Sequence, residues 1–185
     1  MTEEITQTTA GTTRIAVRTT TIAHLFNSID PSPFRQKDLD SGVESFITDW
    51  VRELPAASPF DIVIRLPAGE LAKPEAARIP EAFAHYFDDR AKAGEHELRE
   101  LFRIGRRFVL IGLVALVTCL GASQLASALI PHPVVARVVE ESLIFLGWVA
   151  NWRPIEIYLY DWLPIRRRIH LFQRIAAAPV HVEVD

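Results

Sequence analysis

The chain has 185 residues, of which 49% are hydrophobic, and its 20 basic and 23 acidic side chains give a net charge of −3. This length accommodates one ordinary domain, and the near-neutral charge argues against a general nucleic-acid-binding protein. The single cysteine excludes a disulfide framework and a thiol pair for a structural metal. The first 30 residues lack a continuous apolar stretch, so no cleavable secretion signal is predicted.

A polar, flexible tail is predicted over residues 1–11, and a small α/β domain over residues 12–78. Residues 14–18 alternate between apolar and other side chains, which predicts a half-buried strand. Residues 27–34 contain two prolines that exclude a regular element, and a structural turn is favoured there over a functional role for Ser32 or Asp30.

A helix and a second strand complete the predicted domain. Apolar residues recur at spacings of three and four over residues 43–54, which predicts a helix that Pro55 ends. Residues 59–67 form a short apolar run between prolines with three β-branched side chains at its centre, which predicts a strand. The order strand, helix, strand favours a parallel unit with a right-handed crossover.

A long helix is predicted over residues 79–106. Pro80 suits its first turn, and Glu81 suits the positive end of its dipole. No residue pattern ends this helix before the apolar run that follows, so we expect the helix to continue into that run.

The apolar run over residues 108–130 contains no charged residue. A charge-free run of about 20 residues is long enough to cross a hydrocarbon core of roughly 30 Å. We therefore predict a transmembrane helix over residues 107–130, an external loop over residues 131–137, and a second transmembrane helix over residues 138–160. The expected fold is a two-helix transmembrane hairpin joined to the small α/β domain.

The segment NWRPIEIYLYDWLPIRRR, residues 151–168, is interpreted as the membrane exit of the second helix. Trp and Tyr rings concentrate at the headgroup level, and an Arg near a helix end can extend its guanidinium to the interface. An interfacial belt with an Arg153–Glu156 ion pair is favoured over a proton or ion site that also uses Asp161, and over a catalytic site. Pro154 predicts a kink. The belt residues are Trp152, Arg153, Glu156, Tyr158, Tyr160, Trp162, Arg166, Arg167 and Arg168.

The first apolar helix carries a stripe of small residues at every fourth position. Such a stripe lets helix backbones approach closely, and it suits packing within the hairpin or contact with another subunit. A polar pore lining is a further alternative. Gln124, one residue off the stripe, is expected to face protein rather than lipid. The stripe consists of Ala115, Cys119, Ser123 and Ser127.

The arginines predict the orientation. Four precede the first span, four follow the second, and the connecting loop has only Arg137. The positive-inside bias places both termini in the cytoplasm of a bacterial inner membrane. Residues 161–185 predict a basic amphipathic helix and then a strand, in which valines alternate with His181 and Glu183. We expect this strand to join the N-terminal sheet, because a two-stranded sheet is marginal alone.

The sequence contains only weak indications of a metal site or a catalytic site. His85 with Asp89, and His96 with Glu100, are each four apart on the long helix, but two ligands are too few for a metal site, and a solvated helix face is favoured. The sequence contains no GxSxG, P-loop, GxGxxG or HExxH pattern. No cofactor, metal or catalytic residue is therefore predicted.

The motifs DPSPFRQKDLD…FITDW…ELP and WRPIEIYLYDWLPIRRR resemble a group of small bacterial two-span inner-membrane proteins, over most of the chain after the tail. The resemblance implies the topology and the membrane, and it implies no activity or cofactor. We expect a non-enzymatic interaction or assembly subunit, embedded in lipid as a homo-oligomer or as part of a larger membrane complex. An oligomeric channel or transport component is the second hypothesis, and a membrane-anchored enzyme is the third.

Overall fold

The computed structural model divides into two compact units: unit 1 comprises residues 1–93 and 168–185, and unit 2 comprises residues 94–167. The described residues are 7–9, 12–27, 37–55 and 58–185. The proline loop predicted over residues 27–34 lies, from residue 28 onwards, outside the described residues.

Unit 1 contains a four-stranded sheet in the order β1-β2-β3-β4. Its strands are β1 (Gln7–Thr9), β2 (Thr12–Arg18), β3 (Phe60–Leu66) and β4 (Val180–Val184). β2, β3 and β4 run parallel, and β1 pairs antiparallel with β2. The prediction that the C-terminal strand joins the N-terminal sheet is confirmed. β1 falls inside the predicted polar tail, whose other residues lie outside the described chain.

Helix α1 (Ser41–Glu53) forms the crossover between β2 and β3. The Asp40 side chain caps it by accepting a hydrogen bond from the Gly42 N–H at 2.9 Å. Its apolar face is buried at Val43, Ile47 and Val51, as the spacing predicted. A short helix, α2 (Ala68–Leu71), follows β3.

The core of unit 1 lies between one face of the sheet and three helical segments. Alternate residues of β3, such as Ile62 and Ile64, are fully buried on that face. The first part of helix α3 (Ile79–Leu129) contributes Phe87, and the C-terminal part of helix α6 (Trp162–Ala176) contributes Phe172. Burying each such side chain contributes about 1.5–3 kcal/mol, so this cluster dominates the stability of unit 1.

Helix α3 has 51 residues, and together with the helical turn before it (Ala76–Leu129) it is long and apolar enough to cross a membrane by length and composition. The prediction of one uninterrupted helix leading into the apolar run is confirmed.

Unit 2 has two arms: the first is the part of α3 from residue 94 to residue 129, and the second is the chain from residue 133 to residue 167. The second arm departs from the prediction. Helix α4 (Pro133–Val149) begins at Pro133, because proline suits the first helical turn, so the loop predicted over residues 131–137 is confined to residues 130–132. The single helix predicted over residues 138–160 breaks at Ala150 and Asn151. Pro154 has no N–H for the Ala150 carbonyl, which is consistent with the predicted kink. Helix α5 (Trp152–Glu156) and a π-helical turn (Ile157–Asp161) then lead into α6.

Candidate functional site

Glycines bring the two arms of unit 2 close together. A Cβ atom added at Gly112 would lie 2.7 Å from the side-chain oxygen of Asn151, and one added at Gly105 would lie 3.0 Å from a methyl group of Ile157. Both distances are shorter than ordinary contact, so only glycine fits without rearrangement. The two glycines are seven residues apart and therefore lie on the same face of α3.

Asn151 connects the arms at the helix break. Its side-chain amide donates hydrogen bonds to the Gly112 carbonyl at 3.1 Å and to the Gly147 carbonyl at 2.9 Å. The Asn151 backbone N–H bonds instead to the Trp148 carbonyl at 3.0 Å. The side chain therefore supplies the donor that a regular helix would give to Gly147, and it bridges to α3 at the same time. Such an interhelical bond contributes roughly 0.6 kcal/mol or more in an apolar surrounding.

The predicted small-residue stripe only partly follows this seam. Ser123 is fully buried, and its hydroxyl donates to the Leu120 carbonyl at 2.9 Å. Cys119 is half-buried, and its Cβ lies 3.2 Å from the Cβ position of Gly147. Ala115 is half-buried, whereas Ser127 and Gln124 are exposed in the single chain.

The stripe turns gradually away from the seam because a four-residue step advances 400° around a helix, which is 40° more than one turn. The observed seam instead alternates steps of seven, four and three, as in a heptad repeat that keeps one face toward a partner helix. This seam was not predicted, although the heptad spacing of two glycines at the start of the apolar run is a signal for it in the sequence. Its α3 members are Gly105, Gly112, Leu116, Cys119 and Ser123.

The predicted ion pair is present in residues 151–168, called the exit segment below. The Arg153 guanidinium lies 3.0 Å from a Glu156 carboxylate oxygen and 3.1 Å from an Asp161 oxygen. The Trp152 indole N–H also donates to Glu156 at 2.9 Å. Arg153 therefore has two carboxylate partners rather than one. Along the chain it lies between Asn151 and Ile157, so it is level with the start of the charge-free run on α3.

The aromatic residues of the exit segment differ in their surroundings. Tyr158 stacks on Phe102 with ring centroids 5.7 Å apart, and its carbonyl accepts the Trp162 indole N–H at 2.9 Å. The Arg166 guanidinium lies 5.6 Å from the centre of the Trp162 ring, within range of a cation–π interaction. Several belt side chains are exposed, namely Trp152, Arg153, Tyr158, Tyr160, Arg166, Arg167 and Arg168.

A polar cluster of unit 1 lies between α1 and α3. Glu44 accepts hydrogen bonds from the Tyr86 hydroxyl at 2.7 Å and from the Arg90 guanidinium at 2.6 Å. Burial, and then the bond to Glu44, raise the pKa of Tyr86 above its usual value, and the same carboxylate raises the pKa of Arg90. Because Tyr86 and Arg90 of α3 both bond to Glu44 of α1, the cluster connects the two helices.

Metal-binding potential is low in the part of the chain that the structure describes. The His85 ring nitrogen lies 3.5 Å from an Asp89 carboxylate oxygen, and the His96 ring bonds to Arg99 at 3.0 Å. Among the described residues, no group of three or more His, Cys, Asp or Glu side chains is placed to hold a metal ion.

The chain matches no protein-family model, no curated protein and no solved structure.

Proposed function

We propose that this chain is a two-span protein of the bacterial inner membrane and a member of the group of small proteins that its motifs resemble. The arms of unit 2 form the membrane anchor, and unit 1 lies in the cytoplasm. The protein acts as a non-enzymatic interaction or assembly subunit, as a homo-oligomer or within a larger membrane complex.

The exposure of the apolar side chains of unit 2 carries this proposal. Only 11% of the most apolar 18-residue window of α3 is buried. On α4, Phe145 is 70% exposed and Trp148 is 66% exposed. Soluble monomers rarely expose contiguous apolar patches larger than a few hundred Å². A hydrocarbon surrounding removes the cost of this exposure, so lipid is the partner that the surface fits.

The second arm supports a span shifted along the chain, over residues 133–152 rather than residues 138–160. Twenty helical residues measure about 30 Å, the thickness of the hydrocarbon core. The charged residues Arg137, Glu140 and Glu141 then lie in the half of the span that begins at the external loop, with Glu140 and Glu141 close to its midpoint. Arg137 pairs with Glu141 at 3.0 Å, which lowers the cost of placing the two charges near lipid.

The orientation rests on the arginine bias, and cysteine labelling tests it. In a Cys119→Ser background, His132→Cys should react with an impermeant thiol reagent in intact cells, whereas Thr9→Cys should react only after lysis. Alkaline carbonate should leave the protein in the membrane pellet. Labelling of Thr9→Cys in intact cells would invert the orientation, and release by carbonate would overturn the anchor.

The assembly role is tested by crosslinking the protein in its own host and purifying it in detergent. We expect a defined oligomer, or a second protein in fixed stoichiometry that is retained after washing. A monomer that conducts no ions in liposomes and has no stoichiometric partner would contradict both the assembly and the channel hypotheses.

A further inference from the structure

Unit 2 carries an apolar groove of about 520 Å³ along the seam between its arms. The groove follows the helix break, since Asn151 and Pro154 lie in its wall. It begins near Tyr158 and extends to Leu116, further along the apolar run of α3, and to Trp148 on α4. An apolar occupant of this groove gains dispersion contacts with the wall atoms.

The charge at one end of the groove indicates its occupant. Arg106 precedes the wall residue Val109 by three positions, so the two side chains are neighbours on one face of α3. The Arg106 side chain is exposed and forms no ion pair with any residue that the structure describes. The Tyr158 side chain lies at the same end, because Tyr158 stacks on Phe102, one turn before Arg106. An apolar channel with a free guanidinium and a phenol at its mouth is complementary to an acyl chain that ends in a phosphate.

We propose that this groove holds one acyl chain of an anionic glycerophospholipid and that Arg106 binds its phosphate. This inference rests on the proposed membrane anchor, since only a membrane-embedded groove faces acyl chains. Basic sites on the cytoplasmic side of transmembrane helices are typical places for anionic headgroups. Arg153 is not the headgroup ligand, because Glu156 and Asp161 already occupy its guanidinium.

Native mass spectrometry of the full chain in detergent tests the headgroup part. Phosphatidylglycerol should stay bound at concentrations at least about tenfold lower than phosphatidylcholine, which corresponds to about 1.4 kcal/mol. Arg106→Gln should abolish this preference. Arg107→Gln is the matched control, because its side chain points about 100° further around α3, and it should leave the preference unchanged. Equal losses in both variants would indicate diffuse charge attraction and overturn the site.

A second pair of variants tests the acyl-chain part. Ile155→Trp places a large ring in the groove and should weaken binding of both lipids, whereas Val114→Trp, an exposed position on α3 outside the groove lining, should not. Inorganic phosphate at millimolar concentration should not displace the lipid. Displacement by phosphate would reduce the site to an anion site, and an altered oligomeric state of Ile155→Trp would assign the groove to a second copy of the chain. Carbonate extraction of the wild type separates failure of the anchor from failure of this lipid site.

Discussion

The two units bury opposite kinds of side chain. In unit 1 most of the fully buried residues are large, such as Phe83, Phe87 and Ile64, although the polar Thr48 is buried as well. In unit 2 most buried residues are small, and large apolar side chains such as Phe145 are exposed. The buried residues of unit 2 are Gly94, Gly105, Gly112, Ser123, Ala136, Gly147, Pro154 and Ile157.

The membrane anchor proposed above would account for this difference in buried residues. In water, removing large apolar groups from the solvent is the main source of folding free energy. Between helices in hydrocarbon that gain disappears, because lipid tails are as apolar as leucine, and close backbone approach and hydrogen bonds hold the helices together. The glycine seam and the Asn151 amide provide both in unit 2.

Removing β4 should have the largest effect on stability, and this effect should fall on unit 1. Deletion of residues 180–185 leaves β3 with an unpaired edge and uncovers the core side chains behind Val180 and Val182. We expect unit 1 to unfold or aggregate, while unit 2 stays inserted. Limited proteolysis of membranes checks this, with the exposed substitution His181→Ala as the control. A truncated chain as resistant as the full chain would show that β4 is dispensable to the sheet.

Two phenylalanine substitutions should separate the units sharply. Phe87→Ala removes a fully buried ring that packs near Phe83 and Phe172, and it should cost about 3–5 kcal/mol of unfolding free energy. Phe145→Ala removes an exposed ring and should cost less than about 0.5 kcal/mol. Thermal unfolding in detergent measures both variants. Equal losses would mean that Phe145 is buried against another protein.

The Gly112 position of the seam should not tolerate a larger side chain. Gly112→Leu would place its Cβ against the Asn151 oxygen and should destabilise the hairpin by about 1–3 kcal/mol. Gly121→Leu on the same helix is the control, since no atom lies within 4 Å of its Cβ position. Unfolding monitored by tryptophan fluorescence reports the difference. If the two variants unfold alike, the arms do not pack through this seam.

The Glu44 cluster should give unit 1 a pH-dependent contribution to stability. The raised pKa of Tyr86 means that the folded state favours the protonated phenol. Its contribution is therefore complete below the unfolded pKa of about 10 and is lost as the pH rises above that value. Tyr86→Phe should cost about 1.5 kcal/mol at pH 8. Denaturation at pH 8 and at higher pH should show this difference shrinking.

The exit ion pair should contribute least. Glu156→Ala should cost less than about 1 kcal/mol, because Asp161 still accepts from Arg153. Arg153→Leu with Glu156→Leu removes this pair but leaves Asp161 without its cation, so the double variant should recover only part of the loss. Thermal stability of the single and double variants in detergent measures the coupling. A double variant as poor as the sum of the single variants would indicate a functional role for the pair.

Local patterns in the sequence determined most of the elements. The alternation around residues 14–18, the spacing of the apolar residues of α1 and the charge-free run each produce their element directly, because the periods of strands and helices are properties of neighbouring residues. The alternating valines of β4 predicted even a long-range pairing, because such a strand needs a sheet on which to bury one face.

Only the tertiary structure decided how distant residues meet. The Asn151 bond to Gly112 spans 39 residues, and no local period identifies a lone amide as the connection between two helices. Asp161 reaches Arg153 across the π-helical turn, a local register change that regular helical spacing does not predict. The seam of α3 follows a heptad because α4 packs along one face of it. The predicted stripe instead consists of residues at every fourth position. These features depend on distances between chain segments, which packing sets and sequence spacing does not.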